Sequence, residues 1–217
     1  MTVVFADSFT NSSGADVNID EWPSAGDPDY AYNIGSGDHI IVSNANDRVE
    51  SALGGAFPNF KTVRLIDAAV PTGDQEITFT GRYTGPFTET MAFARCTTTN
   101  TRDGYELTLE DGVVYLIRVD GTTNTILASG GSGIPDGSYT YRLRATGTNP
   151  VVLDASVGAI HLTYEDSSAD RKESGPPGFS FVLAGGWIDD LSVDDTAISF
   201  VPPNRLSNMH PNQLGGF

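Results

Sequence analysis

The sequence predicts an all-β protein built as a two-sheet antiparallel sandwich. About a dozen short segments alternate apolar and polar residues, and helical periodicity is almost absent. Turns rich in Gly and Pro separate these segments. Matching alternating segments, residues 5–9 and 187–194, lie near the two ends of the chain. Pairing them would protect two exposed strand edges, so we expect the first and last strands to lie side by side.

In the first part of the chain, turn residues and alternation together predict the strands. The predicted strands are residues 3–9, 30–34, 39–43, 62–66, 75–83 and 90–96. Residues 10–20 are polar and predict a loop, and Pro23 ends any regular element after Trp22. Gly35 and Asp38 suit positive-φ positions, which predicts a hairpin between the second and third strands. Residues 44–47 then turn the chain.

The middle of the chain predicts a three-stranded meander over residues 104–109, 113–119 and 125–128. Two Asp-Gly pairs, at positions 111–112 and 120–121, separate these strands. A type I′ turn needs positive φ at both central residues, and Asp-Gly meets that need. The later predicted strands are residues 138–145, 151–157, 161–165, 178–183 and 187–194.

The composition excludes several classes of partner. Of the 217 residues, 12 are Lys or Arg and 28 are Asp or Glu, for a net charge of −16. This charge repels nucleic acid and anionic membranes, so we expect neither as a partner. Residues 1–7 lack the basic and apolar regions of a signal peptide, which predicts synthesis without one. The single cysteine, Cys96, is expected to be a small buried residue.

The C-terminal segment differs in character from the rest of the chain. Pro202 and Pro203 end the predicted sandwich, so we assign residues 1–201 to the sandwich and 202–217 to an extended docking tail. The tail has no periodicity and few large apolar residues. Those expected to dock on this domain or on a neighbouring subunit are Leu206, Met209, Leu214 and Phe217.

Several segments in order resemble a known superfamily. They are residues 7–9, 93–95, 104–107, 139–144, 175–179 and 188–193. Together they resemble the concanavalin A-like lectin and glucanase superfamily, in particular laminin G-like jelly rolls of the type found in phage virion proteins. The resemblance implies a jelly-roll sandwich. It leaves function open, because similar folds host glycan binders, glycan hydrolases and assembly modules.

Catalytic and histidine-based metal sites are not indicated by the residue pattern. The glucanases of this superfamily carry two acidic residues on one strand, as Glu-x-Asp-x-Glu or Glu-x-Asp-x-x-Glu, and that pattern is absent. The acidic residues weighed as alternatives are Asp74, Glu76, Glu106, Glu110, Asp111, Asp189, Asp190, Asp194 and Asp195. We interpret them as solvated acids and predict no catalytic residue. The histidines lack metal-binding spacing, which favours ordinary strand or loop positions.

Two aspartates invite comparison with the calcium sites of related sandwiches. The resemblance implies that an acidic residue in the first strand and one near the last can hold Ca²⁺. Asp7 and Asp190 occupy such positions. The alternative is that both carboxylates accept hydrogen bonds where the terminal strands pair. We therefore predict no obligatory cofactor and keep calcium as a hypothesis.

Aromatic and polar residues define the expected ligand contacts. Sugars are bound by aromatic platforms together with hydrogen-bonding side chains. The candidates are Trp22, Tyr30, Tyr32, Arg95 and Tyr105. The three aromatic residues are expected at the core or rim, whereas Arg95 and Tyr105 would line a sheet face or pair across strands. Trp187 lies in an apolar strand and is expected in the core.

These observations lead to a functional prediction with two alternatives. The main hypothesis is a non-catalytic structural or decoration protein on the capsid or tail of a phage virion, made in the host cytoplasm and able to bind surface glycans. Its expected partners are other virion proteins or further copies of itself. The first alternative is a stand-alone carbohydrate-binding lectin module, and the second is a glycan hydrolase.

Overall fold

The computed structural model describes residues 2–19, 22, 30–32, 39–52, 61–65, 70–85, 90–96, 103–182 and 185–196. Within these ranges the chain forms sixteen strands in two antiparallel sheets, a jelly-roll sandwich as predicted. No helix among the same residues has the length and apolar character needed to cross a membrane.

The first sheet has nine strands. In spatial order, eight of them are β14 (Ile160–Asp166), β13 (Val151–Val157), β12 (Gly137–Thr146), β7 (Gln75–Tyr83), β16 (Trp187–Asp195), β5 (Arg48–Ala52), β4 (His39–Ser43) and β2 (Val17–Asn18). The ninth, β1 (Thr2–Asp7), also pairs with β16.

The second sheet has seven strands and covers the inner face of the first. In spatial order they are β11 (Thr123–Gly130), β10 (Val113–Asp120), β9 (Asp103–Glu110), β8 (Thr90–Ala94), β15 (Gly178–Phe181), β6 (Lys61–Leu65) and β3 (Tyr30–Tyr32).

The predicted pairing of the terminal strands is confirmed. Strand β1 runs antiparallel to β16, with Thr2 opposite Asp195 and Asp7 opposite Leu191. A bulge between Val3 and Phe5 shifts the register. Strand β16 also pairs with β7 and, at its start, with β5. The two ends of the described sandwich are therefore joined inside one sheet.

The central meander is also confirmed, with one difference in its turns. Strand β10 pairs with both β9 and β11. Asp111 and Gly112 both have positive φ, as a type I′ turn requires. In the second turn the strand continues through Asp120, and Gly121 and Thr122 form the turn instead. Strand β10 extends to Asp120, one residue beyond the predicted strand, because Asp120 still pairs with both neighbouring strands.

The predicted hairpin around residues 35–38 is wrong. Strand β3 pairs with β6 in the second sheet, whereas β4 pairs with β5 and β2 in the first sheet. The two segments are strands as expected, but they belong to opposite layers. Strands β2 and β5 were not predicted, because β2 has only two residues and β5 carries Arg48 and Glu50 among few apolar residues.

Inward-facing residues of both sheets form one continuous core. The ring of Phe179 contacts Tyr30, Phe79 and Phe181 edge-on, with centroids 5.8–6.5 Å apart. Such aromatic pairs add to the stabilisation from apolar burial. Residues Met91, Phe93, Cys96 and Val182 form a separate buried cluster.

Cys96 is buried as predicted. Burial is the largest influence on its thiol and raises the pKa to about 12. The thiolate that reacts with electrophiles or binds metals is therefore disfavoured at neutral pH.

Candidate functional site

The outward-facing side of strands β7, β12, β13 and β14 is polar. Strict alternation buries every second residue of β12 and β13 and turns the residues between them outward. We call the surface formed by the following residues the polar face: Glu76, Thr78, Thr80, Thr140, Arg142, Arg144, Asp154, Ser156, His161 and Thr163. Hydroxyl-bearing and charged side chains thus share one rigid four-stranded platform.

Four side chains of the polar face form a chain of hydrogen bonds across all four strands. The Arg142 Nη2 atom donates to Glu76 Oε2 at 2.7 Å, and Nη1 donates to Asp154 Oδ1 at 2.7 Å. His161 Nε2 lies 2.9 Å from the same Asp154 oxygen. We call Glu76, Arg142, Asp154 and His161 the Arg142 network. The carboxylates of Glu76 and Asp154 bind the Arg142 guanidinium from opposite sides and restrict its motion.

The Arg142 network also shifts the pKa values of Arg142 and Asp154. The hydrogen bond to Glu76 is the largest influence on Arg142 and raises its pKa above the ordinary value. Burial alone would raise the pKa of Asp154, but hydrogen bonds with His161 and Arg142 outweigh burial and lower it. Arg142 and Asp154 are therefore charged at neutral pH. The exposed side-chain fractions rise from 6% at Glu76 through 28% at Arg142 to 58% at His161, so the network opens to solvent toward β14.

Trp187 stands on the same sheet, beyond the polar face, and the prediction that it lies in the core is wrong. Ile188 takes the buried position, which leaves the Trp187 ring half-buried on the outer side. The Arg48 guanidinium lies 4.5 Å from the ring centroid and is held by Glu50 at 2.8 Å. A cation over an indole face is a favourable arrangement. The Trp187 ring therefore lies on the same sheet as the polar face, to one side of it.

Two carboxylates meet where β7 and β16 pair. Glu76 lies opposite Asp194, and both residues are buried, as is Glu106, so the interpretation of these three as solvated acids is wrong. Burial is the largest cause that raises the pKa of Asp194, and the charge of Glu76 raises it further. Because Glu76 is engaged by Arg142, Asp194 is the member of this pair whose negative charge is least favoured.

We expect Asp194→Asn to increase the free energy of unfolding at pH 7 by roughly 0.2–1 kcal/mol, the usual size of a like-charge repulsion across strands. A folded pKa above the unfolded value means that the native state binds the proton more tightly. Stability from this group is therefore present at low pH and is lost as pH rises through the folded pKa. Urea denaturation at pH 7 and at pH 3.5 measures the difference between variant and wild type.

The exposed Glu165 of β14 provides the control, as Glu165→Gln removes one negative charge without touching the pair. The increase in the free energy of unfolding caused by Asp194→Asn should be smaller at pH 3.5, where the wild-type Asp194 carboxyl is mostly protonated. An equal gain from Glu165→Gln would show that net charge, rather than the local pair, is responsible.

Trp22 and Tyr30, the described aromatic candidates near the N-terminus, pack inward. Tyr30 is 1% exposed and belongs to the core, one of the two positions predicted for it, so its ring is not presented to a ligand. The Trp22 ring is half-buried against that core. Trp22 Nε1 and Tyr30 Oη donate to Asp7 Oδ2 at 2.7 and 3.0 Å. Strand β3 contains Tyr32, whose side chain lies outside the described part of the structure.

Asp7 accepts three hydrogen bonds beside the paired terminal strands. Besides the two aromatic donors, the backbone N–H of Phe9 donates to Asp7 Oδ1 at 2.7 Å. Asp190 is exposed in the irregular part of β16. No group of three His, Cys, Asp or Glu residues suited to a metal ion occurs in the described ranges. The alternative interpretation of Asp7, as an acceptor beside the paired terminal strands, matches its surroundings.

Arg95 and Tyr105 are buried and contact Asp74 and Asp166, which matches the predicted alternative of pairing with acidic residues and not the open sheet face. Arg95 donates from Nε to the Gly73 carbonyl and from Nη1 to the Lys172 carbonyl, and it pairs with Asp74. Burial lowers the pKa of Arg95 despite Asp74. Arg95 therefore connects the loop that contains Gly73 and Asp74 to the loop that contains Lys172.

Tyr105 belongs to a neighbouring buried cluster. Its hydroxyl donates to Asp166 Oδ2 at 2.9 Å and accepts from the Lys172 backbone N–H at 3.0 Å. Arg118 Nη1 contacts both oxygens of Asp166 at 3.0 and 3.1 Å. We call Tyr105, Arg118 and Asp166 the Asp166 cluster. It fixes the loop of residues 167–177 to the ends of β9, β10 and β14.

The predicted docking residues Leu206, Met209, Leu214 and Phe217 lie outside the described residues. The functional candidates that sequence reasoning missed are Arg142, Asp154 and His161. Arg142 and Asp154 each occupy an outward position in an alternating strand, which is a detectable signal. Their mutual contact depends on the register of β12 against β13, and no local pattern specifies that register.

The chain is similar to lectin-type sandwiches of known structure. It matches a Bacillus subtilis protein with a galectin-like fold at 13% identity and a TM-score of 0.57, covering 88% of this chain and 98% of that one. It matches the Emp46p carbohydrate recognition domain, in a metal-free form, at 14% identity and a TM-score of 0.55, covering 84% and 96%. It also matches the VIP36 exoplasmic/lumenal domain, bound to Ca²⁺ and Man3GlcNAc, at 9% identity and a TM-score of 0.54, covering 89% and 93%.

At these identities the similarity shows a shared fold. The sequence matches no protein-family model and no curated protein. The prediction of a concanavalin A-like sandwich is confirmed at the level of architecture, and a shared fold does not determine function.

Proposed function

We propose that this protein is a non-catalytic carbohydrate-binding module and that the polar face binds the glycan. The observation that carries the proposal is the Arg142 network, which holds four polar side chains in one line across four adjacent strands. Two of the similar structures are described as a carbohydrate recognition domain and as a domain bound to Man3GlcNAc. Their fold supports the proposal without assigning a ligand.

The chemistry of the polar face suits a neutral polyol. A sugar hydroxyl both donates and accepts hydrogen bonds, so it needs fixed donors and fixed acceptors close together. The Arg142 guanidinium has five N–H donors, and its contacts with Glu76 and Asp154 leave others for a ligand. Both protein contacts of Asp154 end on Oδ1, so a sugar hydroxyl would reach Oδ2. Restraint before binding reduces the entropy lost on binding.

Surrounding residues extend this platform. Thr78, Thr80 and Thr140 add hydroxyl groups beside Arg142. At the start of β16 the half-buried Trp187 ring supplies an apolar surface on which a sugar ring would stack once Arg48 moves aside. A glycan of several residues would therefore use both ends of the sheet.

Burial of the acidic pair Glu76 and Asp194 favours binding over hydrolysis beside the polar face. Glu76 is 5% exposed and Asp194 is 8% exposed, so neither carboxyl is presented to a glycosidic bond. A glycosidase requires both its acid and its nucleophile or base to reach the substrate.

The virion location remains a sequence-based prediction, because the tail on which it depends lies outside the described residues.

A glycan array with purified protein tests the proposal. The wild type should bind at least one class of neutral glycan, and Arg142→Ala should weaken that binding by about 10- to 100-fold. This range corresponds to the roughly 1.5–3 kcal/mol of hydrogen bonds to a charged group. His161→Ala alters the most exposed member of the network and should weaken binding less.

Arg64→Ala is the matched control because Arg64 lies on the second sheet. Thermal melting of each variant separates loss of binding from loss of folding. Wild-type protein that binds no glycan on the array, or folded Arg142→Ala protein with unchanged affinity, would contradict the proposal. Release of reducing sugar by the wild type would replace it with the hydrolase alternative.

A further inference from the structure

Arg144 lies on the polar face beside the Arg142 network but takes no part in it. On β12 it lies directly opposite Glu76 of β7 and Asp154 of β13. Both of these carboxylates bind Arg142, which reaches them diagonally from the next outward position of β12. Arg144 forms no ion pair or hydrogen bond with any described residue, although it is half-buried. Its acidic neighbours are therefore engaged by another arginine, and its own guanidinium keeps its donors.

The surroundings of this guanidinium resemble those of a binding group rather than those of a stabilising one. Arg144 Nε is buried and has no hydrogen-bond partner. Buried donors are nearly always satisfied, and the exceptions in folded proteins are found mostly where function outweighs stability. Because Nε is buried, the donors that a ligand can reach are the terminal Nη groups.

The chemistry of a guanidinium limits the ligand group that Arg144 would select. A guanidinium donates hydrogen bonds and accepts none, so its best partner is a group that only accepts. In a glycan, such groups are anionic oxygens and carbonyl oxygens. The net charge of −16 repels an anionic glycan, which favours a neutral carbonyl. The neutral carbonyl of a glycan belongs to the acetamido group of an N-acetylated amino sugar.

We propose that the polar face selects glycans that contain an N-acetylated amino sugar and that Arg144 binds the acetamido carbonyl. The inference rests on the proposed function and names the ligand class of the same site. A hydroxyl group in place of the acetamido group would reach Arg144 less well and would cover less of the surface beside it.

Neighbouring residues suit the other two parts of an acetamido group. Val152 is 39% exposed and lies on the same side of β13 as Asp154. It is a diagonal neighbour of Arg144 across the β12–β13 pair, a separation that long side chains span. The acetamido methyl would pack on Val152, and the N–H would donate to Asp154 Oδ2, which neither Arg142 nor His161 contacts. A donor, an acceptor and an apolar side chain thus lie together on two adjacent strands.

Isothermal titration calorimetry with matched oligosaccharides tests the inference. Oligomers of chitin and of cellulose have the same linkage and differ at one carbon, which carries an acetamido group or a hydroxyl group. The glycan array supplies the same comparison for N-acetylgalactosamine and galactose. In each series that the wild type binds, the acetamido sugar should bind about 10-fold more tightly or better, the usual effect of a hydrogen bond to a charged group.

Three variants locate the source of this preference. Arg144→Met keeps an apolar stem and removes the donors, so the ratio of the two affinities should fall close to one. Val152→Ser removes the apolar contact and should lower the ratio by a smaller factor. Arg64→Ala, on the second sheet, should keep the wild-type ratio. Thermal melting confirms that each variant is folded.

The outcomes separate this inference from the proposed function. Glycan binding without a preference for the acetamido sugar, or a preference that folded Arg144→Met retains, would overturn the inference and leave carbohydrate binding intact. Tighter binding of oligomers of glucuronate, lost in Arg144→Met, would assign Arg144 to a carboxylate and overturn it as well. An array with no bound glycan would contradict the proposed function and this inference together.

Discussion

Replacing Gly178 by alanine is expected to lower the free energy of unfolding by about 3 kcal/mol, the upper end of typical overpacking costs. Gly178 begins β15, between β6 and β8, and a Cβ atom there would lie closer than 3.0 Å to the Val63 carbonyl oxygen. The obstacle is backbone on a paired strand, so it cannot rotate away as a side chain would. For a chain of this size the loss corresponds to a melting temperature lower by about 6–12 °C.

The residues before Gly178 explain why the strands approach so closely there. Cys96 N–H donates to the Pro176 carbonyl at 2.9 Å, and Leu65 N–H donates to the Pro177 carbonyl at 3.1 Å. The prolines have no N–H, so this segment is fastened through its carbonyls to neighbours on both sides. Gly175 has a φ of 139° and likewise has no room for a Cβ atom beside the Cys96 carbonyl.

Thermal and urea denaturation of Gly178→Ala and Gly73→Ala measure the effect. Gly73 is the control because a Cβ atom there meets nothing within 4 Å and its φ lies outside the left-handed region. We expect Gly73→Ala to stay within about 0.5 kcal/mol of the wild type. Equal stability of the two variants would show that β6 and β15 are not packed as described.

Asp166→Ala is expected to cost about 3–5 kcal/mol, as loss of one partner from a buried ion pair usually does. The Asp166 side chain is 2% exposed and that of Arg118 is 9% exposed. Without Asp166, Arg118 would keep its charge with the weaker contacts to Asp120 and Asp170 at 3.4 and 3.9 Å. Tyr105→Phe removes two hydrogen bonds, one to Asp166 and one from the Lys172 N–H, and should cost about 2 kcal/mol.

The Asp166 cluster also predicts that the free energy of unfolding depends on pH. Burial would raise the pKa of Asp166, but hydrogen bonds from Ser168 and Arg118 outweigh burial and lower it. The folded pKa is therefore below the unfolded value of about 3.9. Stability from Asp166 is present above the unfolded value and is lost as pH falls through the folded pKa. The cost of Asp166→Asn should accordingly be larger at pH 7 than at pH 2.5, as measured by urea denaturation.

Limited trypsin digestion reports the state of the attached loop. Arg171 and Lys172 are the basic residues of the 167–177 loop, and Lys172 contacts both Asp103 and Asp120. Asp166→Ala should speed cleavage at these residues. Glu110→Gln, at an exposed strand end, is the control and should leave cleavage unchanged. Unchanged cleavage in Asp166→Ala would show that the cluster does not hold the loop.

Local sequence patterns predicted most strands but not all of their partners. The Asp111-Gly112 turn and the alternation around it were sufficient for β9 and β10, because a two-residue turn also specifies which strands pair. The segment of residues 30–43 carried only the weaker turn signal of Gly35 and Asp38. Its two strands were recognised, yet β3 and β4 lie in different sheets. Alternation identifies a strand but not its neighbours.

The same limit applies to the candidate site. Tyr30, Arg95 and Tyr105 were chosen because aromatic and basic residues suit glycan binding, but all three are buried. Arg142 was quoted only as part of a strand pattern, and its role emerged from partners 12 and 66 residues away in sequence. Hydrogen bonds between distant strands depend on register and twist, which are properties of the assembled sheets.

The sequence by itself determined that this chain is acidic, all-β and closed by its two terminal strands. Charge and period-2 alternation are local properties, and matching end segments have few other ways to bury their apolar faces. Only the tertiary structure decided which polar residues meet at the polar face and which lie in buried clusters. Residues on one strand alternate between two faces, and packing of the second sheet against one of them decides which face meets solvent.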